Sequence, residues 1–320
     1  MLIPDGVRDR LKSFAEDVRE GLGRSGQKTL PSKYFYDEIG SALFEVITLL
    51  PEYGLTRAEE RILDEHSGAL REWLAAHSVV IELGSGYGRK TRRVLEALPC
   101  GQPITYCPIE ICPAALESCV SGLKDLRHVR VLGLEAEYLD GLNLALARRE
   151  SRERALVLFL GSSIGNFDRE RGEEFLRAIR MALKPGDAML LGTDLEKPLS
   201  KLIPAYDDSQ GVTAAFNRNV LARINRELDG DFDLYRFEHV ALYNARERRI
   251  EMHLRSVEDQ TATVEGVEIE FQRDETIWTE SCHKYGPCEA ADMAERCGFE
   301  CRDLWVDEEW PFAESFLLAV

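Results

Sequence analysis

The run Val79-Val80-Ile81-Glu82-Leu83-Gly84-Ser85-Gly86-Tyr87-Gly88-Arg89-Lys90-Thr91 sets an apolar stretch, a carboxylate and three glycines in an order that reads as a buried strand, a tight turn and a helix start. Such a turn offers backbone N–H groups to a nucleotide-type cofactor. The glycines do not follow the dinucleotide spacing GxGxxG, and Glu82 would repel a pyrophosphate. S-adenosylmethionine carries no phosphate but has a sulfonium and an ammonium group, which suit nearby carboxylates. It is the favoured cofactor, with Glu82, Gly84, Ser85, Gly86 and Lys90 expected around it. The next strand, Ile104 to Ile111, ends in Glu110, 24 residues after Gly86, where a carboxylate can hold both ribose hydroxyls.

Other residues suggest other chemistry. Gly161-Ser162-Ser163-Ile164-Gly165 fits GxSxG after a strand, as a serine hydrolase would place its nucleophile, and Asp194 with His239, His253 or His283 could complete a triad. That reading leaves the glycine turn and its two glutamates unexplained. A non-catalytic sensor of S-adenosylmethionine or an amino acid is a further alternative. Cys282, His283, Cys288, Cys297 and Cys301 cluster along the chain, but no CxxC pair accompanies them, and no metal is expected.

Composition narrows the setting. The chain has 320 residues, 44% of them hydrophobic, enough for one large core or two moderate ones. Forty basic residues against 57 acidic give a net charge of −17, which disfavours a nucleic-acid partner and suits a small-molecule substrate. Met1 to Leu22 is amphipathic and charged, unlike a signal peptide, and the longest apolar runs are strand-sized, so no membrane partner is expected. The eight cysteines read as reduced thiols. A cytoplasmic monomer is the expectation.

The elements that must position these residues alternate strand and helix in an α/β pattern. Strands are expected at Val79 to Leu83, Ile104 to Ile111, Val129 to Leu132, Leu156 to Leu160 and Ala188 to Thr193. Helices are expected at Arg57 to Trp73, Lys90 to Leu98, Pro113 to Leu123 and Arg169 to Leu183. The alternation lapses after about Asp194 and resumes with a helix from Glu289 to Cys297 and strands at Cys301 to Val306 and Ser315 to Val320. A class I, Rossmann-like methyltransferase sheet ends this way, with its last strand antiparallel. Between these parts, a helix from Val212 to Leu228 and strands at Phe237 to Asn244, Arg249 to Ser256, Ala262 to Phe271 and Asp274 to Thr279 suggest an inserted α+β domain. Residues 57–193 and 285–320 are thus assigned to cofactor binding, and 1–56 and 194–284 to substrate binding.

Several ordered segments remain: FYDEIGSALFE, LPEYGLTRAEE, ELGSG, FLGSSIGNF, LLGTDL, AYDDSQGVTAAFNRNVLARINREL and RIEM. Together they resemble the S-adenosylmethionine-dependent histidine N-alpha-methyltransferases of ergothioneine biosynthesis and their wider family, which includes fungal methyltransferases of tryptophan derivatives. The likeness runs from about Leu30 to the C-terminus.

The resemblance implies roles for particular residues. Asn166 and Tyr206 would hold the substrate carboxylate, with Thr213 supporting them. Gly161 and Tyr36 would lie at the amino group, with Phe44 nearby. Tyr53 and Glu280 would read the imidazole of histidine, and Met252 would line its pocket. A carboxylate suits an imidazole N–H better than an apolar indole, so Glu280 favours histidine over tryptophan, the alternative substrate. Three departures stand out: Cys282 replaces a serine at the imidazole, Gly54 replaces a second tyrosine, and Glu135 stands where an aspartate and an aromatic residue usually meet adenine. The implied reaction is N-alpha-methylation of a free amino acid, histidine to hercynine.

Overall fold

The computed structural model describes residues 5–74, 78–97, 104–150 and 153–320, without side chains for 5–9 and 97. Leu98, the expected end of one helix, and Met1 to Pro4 of the N-terminal stretch lie outside the described residues. The chain divides into two compact units, Met1–Tyr53 with Pro198–Cys282, and Gly54–Lys197 with His283–Val320.

The second unit is built on a twisted sheet whose strands are β1 (Ser78–Leu83), β2 (Ile104–Glu110), β3 (Val129–Val131), β4 (Arg154–Phe159), β5 (Ala188–Asp194), β6 (Phe299–Asp307) and β7 (Phe312–Ala319). They lie in the order β6-β7-β5-β4-β1-β2-β3, and a two-residue strand, Leu134–Glu135, pairs with the end of β2. The pairs among β1 to β5 are parallel, whereas β7 runs antiparallel to both β5 and β6. This is the class I methyltransferase arrangement. Parallel strands covered on both faces read as unbroken apolar runs, and every residue of Ser-Val-Val-Ile-Glu-Leu in β1 is buried. Helices Leu55–Trp73, Arg89–Ala97, Pro113–Gly122, Tyr138–Ala147, Arg169–Ala182 and Glu289–Arg296 belong to this unit. Val79, Ile81, Val157, Met189 and Leu317 meet in its core.

The first unit carries a four-stranded sheet in which Lys28–Thr29 runs parallel to Thr276–His283, followed by Arg249–Ser256 and Phe237–Asn244. The segment read as one strand from Ala262 to Phe271 is instead a hairpin, Gln260–Val264 and Val267–Phe271. Glu265 and Gly266 both take positive φ, 50° and 77°, the two-residue turn whose twist suits paired strands. Alternation continues on either side of such a turn, so the pattern alone did not reveal it.

Helix Val212–Glu227 anchors the aromatic residues of this unit. Its Phe216 packs against Phe35, Tyr36 and Phe44. Asp37 caps helix Glu38–Leu49 through the Gly40 amide and also accepts from Asn219 and Arg226 of the longer helix. The FYD segment is thereby fixed to the AFNRN segment.

Candidate active site

The glycine turn leaves β1 at its carboxyl end, where open α/β sheets bind ligands. The Gly84 and Ser85 amides donate to the Ile109 carbonyl of β2 at 2.9 and 3.2 Å, which closes the turn against the neighbouring strand. Gly88 has φ of +72°, and a Cβ there would stand 2.5 Å from Cys119 Sγ. The third glycine is therefore explained by close packing beneath the turn.

Glu110 ends β2 beside the glycine turn. Its Oε1 accepts from the Ile111 and Cys112 amides at 2.8 and 3.0 Å, and its Oε2 from the Gly86 amide at 2.9 Å. Burial raises this carboxyl's pKa, and the three amides oppose the rise. Oε2 carries one bond, and a carboxylate oxygen has a second lone pair for a ribose hydroxyl, so this donor set fits the expected cofactor. Glu135, exposed, pairs in register with Glu110 at the same sheet edge.

Glu82 lies deeper. Thr91 Oγ1 sits 2.6 Å from both its oxygens, Tyr106 donates to Oε2, and the group is 3% exposed. Burial pushes its carboxyl up to about 7, despite these two donors. It ties strand, turn and helix together from below. Lys90 pairs with Glu59, a fully buried carboxylate on helix Leu55–Trp73 that also accepts from the Gly161 amide at 2.5 Å.

Gly161 and Asn166 belong to the segment after β4, and Asn166 ends a short 3-10 helix, Ser163–Asn166. The hydrolase reading does not survive this geometry. The strained residue is Ser162, with φ of 59°, whereas Ser163 Oγ donates to the Leu160 carbonyl at 3.0 Å. The proposed triad acid, Asp194, is buried with Lys197 and Lys284. Burial pushes the Asp194 carboxyl up, but the two ammonium groups outweigh it and hold the group below its usual range.

Within the first unit, the aromatic residues picked from sequence form one connected set. Ring centroids are 5.7 Å apart for Tyr36 and Phe44, 6.2 Å for Phe44 and Tyr53, and 6.4 Å for Tyr53 and Tyr206. Tyr206 donates to Cys282 Sγ at 2.8 Å. Met252 and Glu280 lie on adjacent strands, Arg249–Ser256 and Thr276–His283. Thr213, in the first turn of helix Val212–Glu227, gives its amide to Asp208 at 2.7 Å, and Val212 gives its own at 3.1 Å, so this aspartate, ahead of the glycine N-cap Gly211, satisfies two first-turn amides.

Residues that sequence reasoning assigned no part in substrate binding hold this set in place. Thr279 Oγ1 shares its hydrogen between Met252 O and Asn217 Oδ1, at 2.9 and 2.8 Å. Asn217 Nδ2 donates to His239 Nδ1 at 2.8 Å, which leaves Nε2 to donate to the Tyr206 carbonyl at 2.8 Å. Burial holds His239 below the usual histidine range, in keeping with this neutral tautomer. Asn217 is completely buried, a tertiary fact that its polar surroundings in the sequence do not reveal.

Residues 14–319 match the family described as histidine-specific, S-adenosylmethionine-dependent methyltransferases. The chain belongs to this family. This methyltransferase is 40% identical over 308 residues to the histidine N-alpha-methyltransferase of Mycolicibacterium smegmatis, covering 95% of this chain and 94% of that one. It is 40% identical over 307 residues to the protein of the same name from Mycobacterium tuberculosis, with the same coverage. Ergothioneine biosynthesis protein 1 of Neurospora crassa is 36% identical over 203 residues, which span 63% of this chain and 23% of the longer fungal protein. S-adenosylmethionine is the methyl donor of this family. Among the described residues, no helix is long and apolar enough to cross a membrane.

Proposed function

We propose that this methyltransferase acts on the α-amine of free L-histidine and proceeds to the trimethylated betaine, hercynine, within ergothioneine biosynthesis. The observation that carries this reading is 40% identity across 95% of the chain to a histidine N-alpha-methyltransferase, and the Neurospora relative supports the pathway. The second unit carries the donor-binding residues, and the first unit carries most of the residues assigned to the amino acid. Free thiols at all seven described cysteines fit a cytoplasmic enzyme, and we take it to act as a monomer.

S-adenosylmethionine, when bound, supplies an electrophilic methyl group on a sulfonium. Glu110 would hold its ribose, Glu135 would serve its adenine, and Gly84, Ser85, Gly86 and Lys90 would bind the rest, with Glu82 buttressing the turn. Asn166 and Tyr206 take the substrate carboxylate by neutral hydrogen bonds, supported by Thr213. Glu280 accepts an imidazole N–H, while Tyr53, Met252 and Cys282 complete that end. Gly161, Tyr36 and Phe44 surround the amine. An amino-acid ammonium must lose a proton before its lone pair can attack, and Tyr36 passes that proton to water. Little further acid–base chemistry is needed, so the residues contribute mainly alignment and exclusion of water.

Incubation with S-adenosylmethionine and each of the twenty amino acids separately, following release of S-adenosylhomocysteine, tests this reading. Histidine should react fastest, and a faster rate with any other amino acid would overturn it.

A further inference from the structure

The LTRAEE segment repeats no role given above, yet its Glu59 is fully buried beside a second fully buried carboxyl group, Glu314 of β7. A Cβ placed on Gly192 of β5 would stand 2.7 Å from Glu59 Oε1 and 2.9 Å from Glu314 Oε1, so only a glycine leaves room for both. The two glutamates differ in their partners. Glu59 accepts from the Gly161 amide and from Lys90, whose ammonium lies 3.2 Å from where a Gly161 Cβ would be. Neither Glu314 oxygen has a hydrogen-bond donor among the described residues.

Two adjacent buried carboxylates cannot both be charged cheaply. Glu59 has a cation and an amide directed at it and is the charged member. Glu314 is left with one way to satisfy itself, by keeping its proton and donating it to Glu59. Burial and the neighbouring charge of Glu59 both drive the Glu314 carboxyl well above the usual range, against the smaller pull of Lys90. Glu82 is the remaining acidic neighbour of Lys90.

We infer that Glu59 and Glu314 form an acid–carboxylate pair sharing one proton, and that Glu59 is a positioning residue joining Lys90 of the donor turn to Gly161 of the acceptor loop. Glu314 lets Glu59 stay charged opposite a single lysine without adding a second buried negative charge. The pair sets the spacing between the methyl donor's loop and the loop at the amine, through Lys90 and Gly161. The inference rests on the roles proposed above for these two residues.

The test combines spectroscopy and kinetics on the full-length protein. Infrared spectra are taken at mildly alkaline pH, where Glu82, which titrates near 7, is ionised. They should show a carboxylic-acid carbonyl band that is lost in Glu314→Gln. Glu59→Gln should lower kcat/KM for S-adenosylmethionine by about 30-fold, whereas Glu314→Gln, which keeps a neutral donor, should lower it by about 3-fold. Absence of the band, or equal losses in the two variants, overturns the inference. If Glu59→Gln does not fold, the band and the small effect of Glu314→Gln still decide it. Wild-type protein that methylates no amino acid would defeat the functional reading, while the infrared band would judge the pair independently.

Discussion

Tyr206 gives its hydroxyl hydrogen to the Cys282 thiol across 2.8 Å, and both side chains are buried. The residue that departs from the family's serine is thus in direct contact with the proposed carboxylate ligand. A thiol is a weaker acceptor and donor than a hydroxyl. Cys282→Ser should therefore tighten the polar end of the pocket, lowering KM for histidine by about 2- to 10-fold, the worth of a modest hydrogen bond. Steady-state kinetics would show this, with the affinity for S-adenosylmethionine unchanged; a raised KM would mean that the sulfur has been accommodated by other changes.

Selectivity should follow Glu280. Glu280→Ala is expected to weaken histidine binding by at least about 10-fold, the cost of leaving a charge-assisted hydrogen bond unmade, and tryptophan binding much less. Calorimetric titration of both amino acids into the cofactor-loaded variant reads the difference directly. Equal weakening of the two would remove Glu280 from imidazole recognition.

Asn166 separates the two ligands. Asn166→Ala should abolish measurable histidine binding and leave S-adenosylmethionine affinity within about 3-fold, because only the substrate carboxylate loses a neutral donor. Parallel loss of both affinities would place Asn166 on the donor instead.

Glu82 makes stability depend on pH. Its carboxyl ionises near 4.5 in a model peptide and near 7 when buried in the fold. Between these values the unfolded chain releases its proton before the folded one, so this group's contribution falls as pH rises from about 4.5 to about 7. Glu82→Gln should flatten that part of the denaturation midpoint profile, the difference from wild type growing to about 3 kcal/mol across the window. Profiles that stay parallel would contradict the burial of an ionisable group beneath the turn.

A second departure, Gly54, has a packing cause. A Cβ at this position would stand 2.2 Å from the Trp310 indole, which also donates to Asp194 at 3.3 Å. Gly54→Ala should cost about 1–3 kcal/mol by overpacking. Trp310→Ala removes the obstacle, so the double variant should be more stable than the sum of the single losses predicts. Additive losses in chemical denaturation would show that the two positions are independent.

The strand, turn and helix expected of the donor side were legible from sequence because their signals are local. A buried apolar run, glycines at fixed offsets and Glu110 at the end of the next strand each follow from chain geometry, and the strand order with antiparallel β7 matches the expected class. The proposed substrate residues were picked only as motifs matched to a family, since nothing in the spacing of Tyr53, Tyr206 and Cys282 tells that the first two rings touch and the last two bond. What stayed hidden was the set of partners brought in from far along the chain. Glu59 meets Glu314 across 255 positions, and Asn217 meets Thr279 across 62. A glutamate in a charged helix or an asparagine beside an arginine carries no periodic signature, and only tertiary burial distinguishes it from a solvated one. The hairpin at Glu265-Gly266 was missed for the opposite reason, because alternation persists on both sides of the turn.

The central claim is repeated methyl transfer to the histidine α-amine. The most direct measurement incubates the protein with histidine and isotopically labelled S-adenosylmethionine, and examines the product by mass spectrometry and NMR. The account predicts a product carrying three labelled methyl groups, all on the α-nitrogen. Label on an imidazole nitrogen, or a product that stops at one methyl with excess donor, would contradict it.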